Sequence, residues 1–467
     1  MLEKLRNNIN KINDKMNSNK EKLNMIFKIA YLVHLCFCFT IFGAENGITT
    51  IPILFIAGIL ILYRIFNIKI YIDYKNVKVL ILFMISYVIS SLIYSKYGVV
   101  ANFKYAVWMF IQFFVLYTFD VNREKKSIIK EFKVVSIAII IVTTIISLIS
   151  LGLMFGGYSS FYTAPNNEVY VMGIASWGRL YGIVTDPNYM SVLAATGILL
   201  SCYFIQTYKT KKMIIANVLS IIIQCLFIAF AGSRTALVSL IIGVATYVFL
   251  TIIKEKKARK IIKGIILGVV ASVMIYVGIN GLVKAYNWAR IKIENIGIHS
   301  NLEENGKENI SIGREEMLTE DISNRRFDIW KSGLEIFKDT WLFGISFGNV
   351  VPYALENVSE TYIVSNDFAV FDAFHNTVVD VFVAQGILGV LIIGYFGVTT
   401  LISIIKYKMK ENDIEDERTV NVLFSICILI AVSAMFLSHI FYVNVPTTCT
   451  FWMVLGYLIV IIEKSKK

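Results

Sequence analysis

Twelve runs of about twenty apolar residues divide this chain and leave it few folds to choose from. They cover roughly 25–43, 48–66, 78–94, 99–119, 132–156, 189–207, 212–230, 236–253, 261–284, 374–404, 419–442 and 447–463. A run of that length, wound as a helix, spans the hydrocarbon core of a bilayer. Lipid offers no hydrogen bonds, so the backbone must satisfy itself, as a helix does. Composition agrees: of 467 residues 57% are hydrophobic, 17% are charged and only 5 are proline. Mean hydropathy is +0.67. The expected fold class is therefore an all-α polytopic membrane protein with about 12 transmembrane helices. The run 374–404 is over-long and holds Gly386, Gly389, Gly394 and Gly397, so it is expected to be tilted, broken or partly outside the lipid.

The connections between runs alternate in charge. The leader, 64–78, 120–133, 208–212, 254–263, 405–418 and the tail carry about thirty Lys and Arg. The short connections 44–49, 95–98, 157–188, 231–235 and 443–447 carry three, Lys96, Arg179 and Arg234. Basic connections stay in the cytoplasm. Both termini are expected there, with a cytoplasmic leader at 1–24 that reads as no cleavable signal peptide. Transmembrane helices 1–9 then fall in 25–284, a large extracytoplasmic loop in 285–373, helices 10–12 in 374–463 and a cytoplasmic tail in 464–467. The net charge of +12 is a topology signal, and no nucleic-acid partner is expected.

Function classes drop out next. The six cysteines (Cys36, Cys38, Cys202, Cys225, Cys427 and Cys449) lie in or beside apolar runs with no metal-ligand spacing. They read as buried small hydrophobes. No P-loop, DxD pair or GxSxG elbow is present, and the acids of the long loop (Glu303, Glu304, Glu308, Glu315, Glu316, Glu320, Asp321) scatter as on a solvated face. No metal and no cofactor is expected. No internal repeat is evident either, which weakens an inverted-repeat transporter.

What remains is a set of polar groups on the outer face. Arg234 sits in the tight turn Gly232-Ser233-Arg234-Thr235, and a guanidinium there suits a phosphate or pyrophosphate. Alone it reads equally well as an arginine snorkelling to lipid headgroups. Arg179 lies in SWGRLYGIVTDPNYMS, where Asp186-Pro187-Asn188 signals a turn and a helix start. Arg325 and Arg326 open an amphipathic helix, capped by Ser323 or Asn324, with Phe327, Trp330, Leu334 and Phe337 on one face. That helix is expected flat on the bilayer or on the mouth of the bundle. His375 stands at the loop's exit before Asn376, where it can be neutral near pH 7 and act as a general base. Asp372 would orient it if a helical turn begins there. Lys104, near the outer end of its run, reads as snorkelling or as a second cation facing the outer cavity. His34 and His439 read as structural, and His299 has no partner the sequence names.

Taken in order, RLYGIVTDPNYMS, AGSRTALVSLIIG, NRRFDIWKSGLEIFKDTWLFGISFGN and FHNTVVDVFVAQGILGVLI resemble the O-antigen ligase and polymerase superfamily of bacterial polysaccharide assembly. The likeness is sharpest over about 175–400. It implies a GT-C-like membrane fold and metal-independent inverting glycosyl transfer from undecaprenyl diphosphate on the outer face of the cytoplasmic membrane. It also implies roles. Arg234 takes the place of the arginine in the Ser-Arg turn, Arg326 that of the loop arginine, and His375 that of the proposed base. Arg325 has no clear counterpart. Arg179, Arg325, Trp330, Asn376 and Lys104 are expected to bind pyrophosphate or glycan. The chain departs from the pattern at Thr340, where proline is usual, and at Ser346, where glycine is usual.

The expected function is a repeat-unit polymerase joining lipid-linked oligosaccharides for capsule, O-antigen or exopolysaccharide. The alternatives are a ligase moving glycan to a lipid or protein acceptor, and a transporter of lipid-linked oligosaccharide. Expected partners are the undecaprenyl-diphosphate-linked oligosaccharide and membrane lipids, with a flippase and a chain-length regulator as the protein partners of such a system.

Overall fold

A computed structural model describes all residues except Met1, 44–46, 164–167, 254–257, 296–322, Asn324, Phe368, 411–412 and 466–467; at 2–18, 47–48, 258 and 293–295 only the backbone is described. His299 and the acidic residues of the long loop lie outside the described residues. Fifteen helices and one small sheet account for most of the described chain. The helices are α1 Leu2–Cys38, α2 Gly47–Phe66, α3 Ile68–Tyr71, α4 Val77–Ile93, α5 Ser95–Ile111, α6 Lys125–Phe155, α7 Pro187–Thr207, α8 Lys211–Ala231, α9 Arg234–Ile252, α10 Ala258–Asn295, α11 Arg326–Thr340, α12 Val350–Asn357, α13 Thr377–Lys408, α14 Ile414–Ser433 and α15 Pro446–Lys464. A π-helix, Gln112–Tyr117, continues α5.

Each of the twelve apolar windows meets a helix, although α14 ends at Ser433 and leaves the last nine residues of the 419–442 window irregular. Among the described residues nine helices are long and apolar enough to cross a membrane, and α4 is a shorter apolar helix. The protein is a multi-pass membrane protein. α7 and α15 form the buried centre, with most of their apolar spans inside the protein, whereas α10 shows nearly all of its span to the outside. The interior is held by aromatic packing around Trp452, whose ring meets Phe113, Tyr117, Phe396, Phe441 and Phe451.

One expectation needs correction. The fold is not purely α-helical. Residues 159–182 form a three-stranded antiparallel meander, β1 Ser159–Thr163, β2 Val169–Ala175 and β3 Arg179–Gly182. The alternating, β-branched VYVMGIA is a strand by period and propensity, and it lies between spans where helix is not enforced. α10 continues to Asn295, so the first part of the polar segment 285–373 is helical. A helix does not stop where hydrophobicity stops; it stops where backbone partners run out.

The long run 374–404 is broken, at Gly386 (φ 62°, ψ −160°). The break is filled by the segment that follows α11. Ile345 and Ser346 donate their N–H groups to the carbonyls of Val383 and Ala384, both at 2.8 Å. In return Ile387 and Leu388 donate to the carbonyls of Trp341 and Leu342, at 2.7 and 3.4 Å. Backbone groups freed by the kink are thus satisfied by a second chain segment, as burial requires. Gly344 (φ 66°) sits against this contact, and a Cβ there would lie 2.4 Å from the Val383 carbonyl oxygen. The clip joins the segment after α11 to α13. α4 holds it from the other side, through a hydrogen bond from Ser90 to the Phe343 carbonyl.

Candidate active site

Four helices begin at one place, the end of the bundle that the charge count assigns outside. They are α7, α9, α11 and α13. Each start has a local cause. Asp186 caps α7 by accepting from the Asn188 N–H at 2.7 Å, with Pro187 at the first helical position. Ser233 caps α9 by accepting from the Ala236 N–H, after Gly232 closes α8 in the left-handed region. Asn376 caps α13, accepting from Val378 and Val379 at 2.9 and 3.3 Å. α11 starts differently from the expected Ser323 or Asn324 cap. Its first turn is entered through Arg325 at φ 62°, with no side-chain cap. Asn324 lies outside the described residues. The positive ends of helix dipoles, gathered together, favour an anion.

Arg326 ties these starts together. Its guanidinium donates to the Thr235 hydroxyl at 3.4 Å, which brings the head of α11 to the head of α9, beside Arg234. It stands 5.7 Å from the Phe436 ring centre. Burial, and then the positive charge of Arg234, pull its pKa below the ordinary value; Asp186 and Tyr189 oppose that pull, and Arg179 adds to it. A guanidinium still keeps its charge under such a shift. Arg325, next in sequence, does something else. It is exposed and pairs with Asp328 at 3.7 Å, an i,i+3 contact along the helix surface.

The side of α11 that packs inward is Ile329, Ser332, Gly333, Ile336 and Thr340. Of the expected apolar stripe, Phe327 and Leu334 are 66% and 51% exposed, whereas Trp330 and Phe337 are half-buried, Phe337 edge-on to Phe382. Gly333 sets the inward face, because its missing side chain lets α11 approach α13: a Cβ there would stand 2.7 Å from Val379 and 2.9 Å from Phe374. Trp330 is half-buried one turn after Arg326, edge-on to Phe327. Its indole nitrogen is buried without a protein acceptor.

His375 has φ 48°, in the left-handed region, which is uncommon for any residue with a side chain. Its neighbours hold it there. The Phe374 N–H donates to Asp380 at 3.0 Å, Asn376 is committed to its cap, and the Thr377 N–H donates to the Ala434 carbonyl at 2.8 Å. A strained residue fixed from both sides is a mark of a functional position. Burial, then the charge of Arg326, lower the His375 pKa below its ordinary value, while Asp186 and Asp372 push the other way. The ring is thus kept neutral and able to accept a proton.

Other expected residues take different places. Arg179 is buried; it donates to the Ala231 carbonyl at 2.8 Å and to Asn188 at 2.7 Å, so it fastens β3 to the end of α8 and the start of α7. That role fixes the turn that presents Arg234. Asn376 is buried, and its side-chain oxygen is used as the cap of α13. Asp372 is exposed and no helical turn begins there; α13 starts only at Thr377. Lys104 is exposed on α5, and no hydrogen bond or ion pair among the described residues joins it to this group. His439 is buried, but outside any helix, in the irregular stretch after α14. Its ring nitrogens meet Ser433 and Thr447 at 3.0 and 3.1 Å. Its carbonyl accepts from Thr377.

Two residues were missed by sequence reasoning. Asp186 is the carboxylate whose charge reaches Arg326, Tyr189 and His375 alike. Its only signal was the Asp-Pro-Asn helix start. Tyr189, one turn later, donates to the Ser438 carbonyl at 2.9 Å and packs edge-on against His439.

Two basic side chains from distant loops, Arg234 and Arg326, and a strained histidine therefore share one end of the molecule. Residues 218–394 match the O-antigen ligase family model. The match runs from α8 into α13 and includes Arg234, Arg326 and His375, while Arg179 precedes it. It supports the resemblance of this chain to the O-antigen ligase and polymerase superfamily. The comparison with curated proteins returned no match.

Proposed function

We propose that this chain is a glycosyltransferase of the cytoplasmic membrane that polymerises oligosaccharide repeat units carried on undecaprenyl diphosphate. The observation that carries the reading is the Arg326 contact to the head of α9, next to Arg234 and with His375 nearby. Both termini then lie in the cytoplasm and twelve helices span.

The chemistry follows from the charges. The donor's pyrophosphate lies among the helix starts, between Arg234 and Arg326. The acceptor hydroxyl attacks the anomeric carbon from the face opposite the leaving group, so configuration inverts. The bond from that carbon to the phosphate oxygen breaks, and negative charge grows on the departing diphosphate. Fixed cations in a partly dry site stabilise that charge more than water does, by about 10²–10³-fold for each well-placed donor. They supply the positive charge for which other transferases use a divalent ion. His375 accepts the hydroxyl proton as the new bond forms, a contribution of about 10²–10⁴-fold. Asp186, close to both His375 and Arg326, balances the imidazolium that results. Trp330, one turn from Arg326, is the residue proposed to meet the sugar; its indole N–H is buried with no protein acceptor, which leaves that donor unused within the described protein.

The second reading is a ligase that moves finished glycan to a lipid or protein acceptor, and the description of the matched family favours it. The same residues serve both. Deleting the gene and examining surface glycan separates them. Loss of a polymerase leaves single repeat units and no ladder. Loss of a ligase leaves long chains still attached to undecaprenyl diphosphate. Unchanged glycan and unchanged lipid intermediates would rule out both.

A further inference from the structure

A second site, of different chemistry, lies at the opposite end of the bundle. A groove of about 420 Å³ opens between α2, α4 and the end of α5. Its walls are apolar, with Ile61, Ile85, Val88, Phe110 and Phe114 among them. From Ile81 to Ile89 it follows α4 for about 12 Å at the helical rise, enough for much of an acyl chain. Val88 and Ile85 are 45% and 49% exposed, so the groove is open on the side that meets lipid.

Polar side chains enter this groove at one end only, as Arg64 and Tyr71. The same two residues also line an adjoining polar recess, whose walls carry the cations Lys20, Lys28, Arg64 and Arg123 against the carboxylates Glu21 and Asp120. An apolar trough therefore leads into a pocket with more positive than negative groups, and Arg64 stands at the join.

Arg64 is 4% exposed. One terminal nitrogen donates to the Phe114 carbonyl and to Thr118, and the other to Asn24 at 2.8 Å. Those acceptors are neutral and close the end of the π-helix. Its Nε is buried with no acceptor. The neighbouring carboxylates are engaged by other cations, Asp120 by Lys20, and Glu131 by Lys28 and Arg123, so among the described residues Arg64 is in no ion pair. A guanidinium out of water without an anion is costly. Among the described residues no carboxylate pairs directly with Arg64, so an anion from outside the chain would find a partner there, and the groove says what is attached to it.

We propose that the groove between α2, α4 and α5 binds one acyl chain of an anionic phospholipid, with the lipid phosphate at Arg64 and Tyr71. This end is the one the Lys and Arg count assigns to the cytoplasm, where the leaflet is negatively charged. Arg64 links α1 through Asn24 to the end of α5 through Phe114 and Thr118, so bound lipid braces the joint of three helices.

The test uses the full chain purified in detergent and stripped of lipid. Its thermal unfolding is followed with phosphatidylglycerol, phosphatidylcholine or inorganic phosphate added, and retained lipid is read by native mass spectrometry. Phosphatidylglycerol is expected to raise the midpoint more than phosphatidylcholine does. Arg64→Gln is expected to reduce the preference by about fivefold, the worth of one interfacial cation. Val88→Trp fills the trough from an exposed position without touching Arg64, and is expected to abolish the phosphatidylglycerol shift and the retained lipid. If Arg64→Gln does not fold, Val88→Trp decides. Equal shifts with both lipids overturn the proposal. So does a Val88→Trp protein that keeps the full shift, or a full shift from inorganic phosphate alone.

Discussion

Gly386→Ala should separate a kinked α13 that organises the site from one that merely crosses the membrane. At φ 62° and ψ −160° an alanine carries backbone strain of about 1–3 kcal/mol. Its Cβ would stand 2.5 Å from the Leu342 carbonyl and 2.6 Å from the Trp341 oxygen, so the clip has to move. The hydrogen bonds first at risk are those from Ile387 at 2.7 Å and Leu388 at 3.4 Å. Losing two such bonds costs about 1 kcal/mol each if water replaces them, and about 1–3 each if the groups are left orphaned. Strain and bonds together come to about 3–5 kcal/mol if water replaces the bonds and about 3–9 kcal/mol if the groups are orphaned, a large part of a typical folding free energy. The consequence reaches the site because Trp341 directly follows α11, which carries Arg326. We expect a lower unfolding midpoint in detergent and at least about tenfold slower glycan transfer, since small misplacements of charge are expensive in catalysis. Gly394→Ala in the same helix is the control. A Cβ there meets nothing within 4 Å, so the change is neutral or slightly stabilising. If the two variants unfold and turn over alike, the clip does not position the site.

Ser346 occupies a left-handed backbone (φ 70°, ψ 147°) that favours glycine, so Ser346→Gly is expected to raise stability by about 1 kcal/mol, read as a higher unfolding midpoint. Arg326→Lys should slow transfer at least about tenfold by losing the planar fork, whereas Arg325→Lys, altering an exposed pair, should leave it within about twofold, both read on purified protein. His375→Ala should cost about 10²–10⁴-fold in turnover with normal expression, and undiminished turnover removes it as the base. Because the folded pKa of His375 lies below 6.5, turnover should hold as pH falls to that value and decline only beneath it. Stability carries the same sign. The neutral ring's contribution is complete above 6.5 and is lost as pH falls from there through the folded value, which pH-dependent unfolding measures.

How far the sequence could be read differs between elements. The twelve windows were legible because lipid allows one solution for an apolar run, and each meets a helix, though the window 419–442 outruns α14 by nine residues. The break in α13 was foreshadowed by its length and glycines, but which glycine yields depends on Trp341 and Leu342, more than forty positions earlier. The meander at 159–182 was missed because it lies outside the apolar windows, where the search for spans is blind. α11 was expected flat on the bilayer or on the mouth of the bundle, and tertiary contacts choose its inward face, which is Ile329, Ser332, Gly333, Ile336 and Thr340. A helical wheel ranks faces by hydrophobicity, and in a membrane protein the more apolar face belongs as readily to lipid as to protein. Ser346, by contrast, was marked in advance as the serine where glycine is usual, and its backbone bears the strain that such a replacement implies.

The sequence by itself determined that this chain is a helical membrane protein, with its sparse cations on one face and Arg234, Arg326 and His375 as the groups to examine. Those conclusions rest on solvation and residue chemistry, which act locally. Tertiary structure decided that Arg326 and not Arg325 meets the head of α9, that His375 is held in a left-handed backbone, and that Asp186 shares their field. Neighbouring arginines are chemically identical. Only the close approach of α11 to α13 at Gly333, and the clip that follows α11, determine which of the two turns inward.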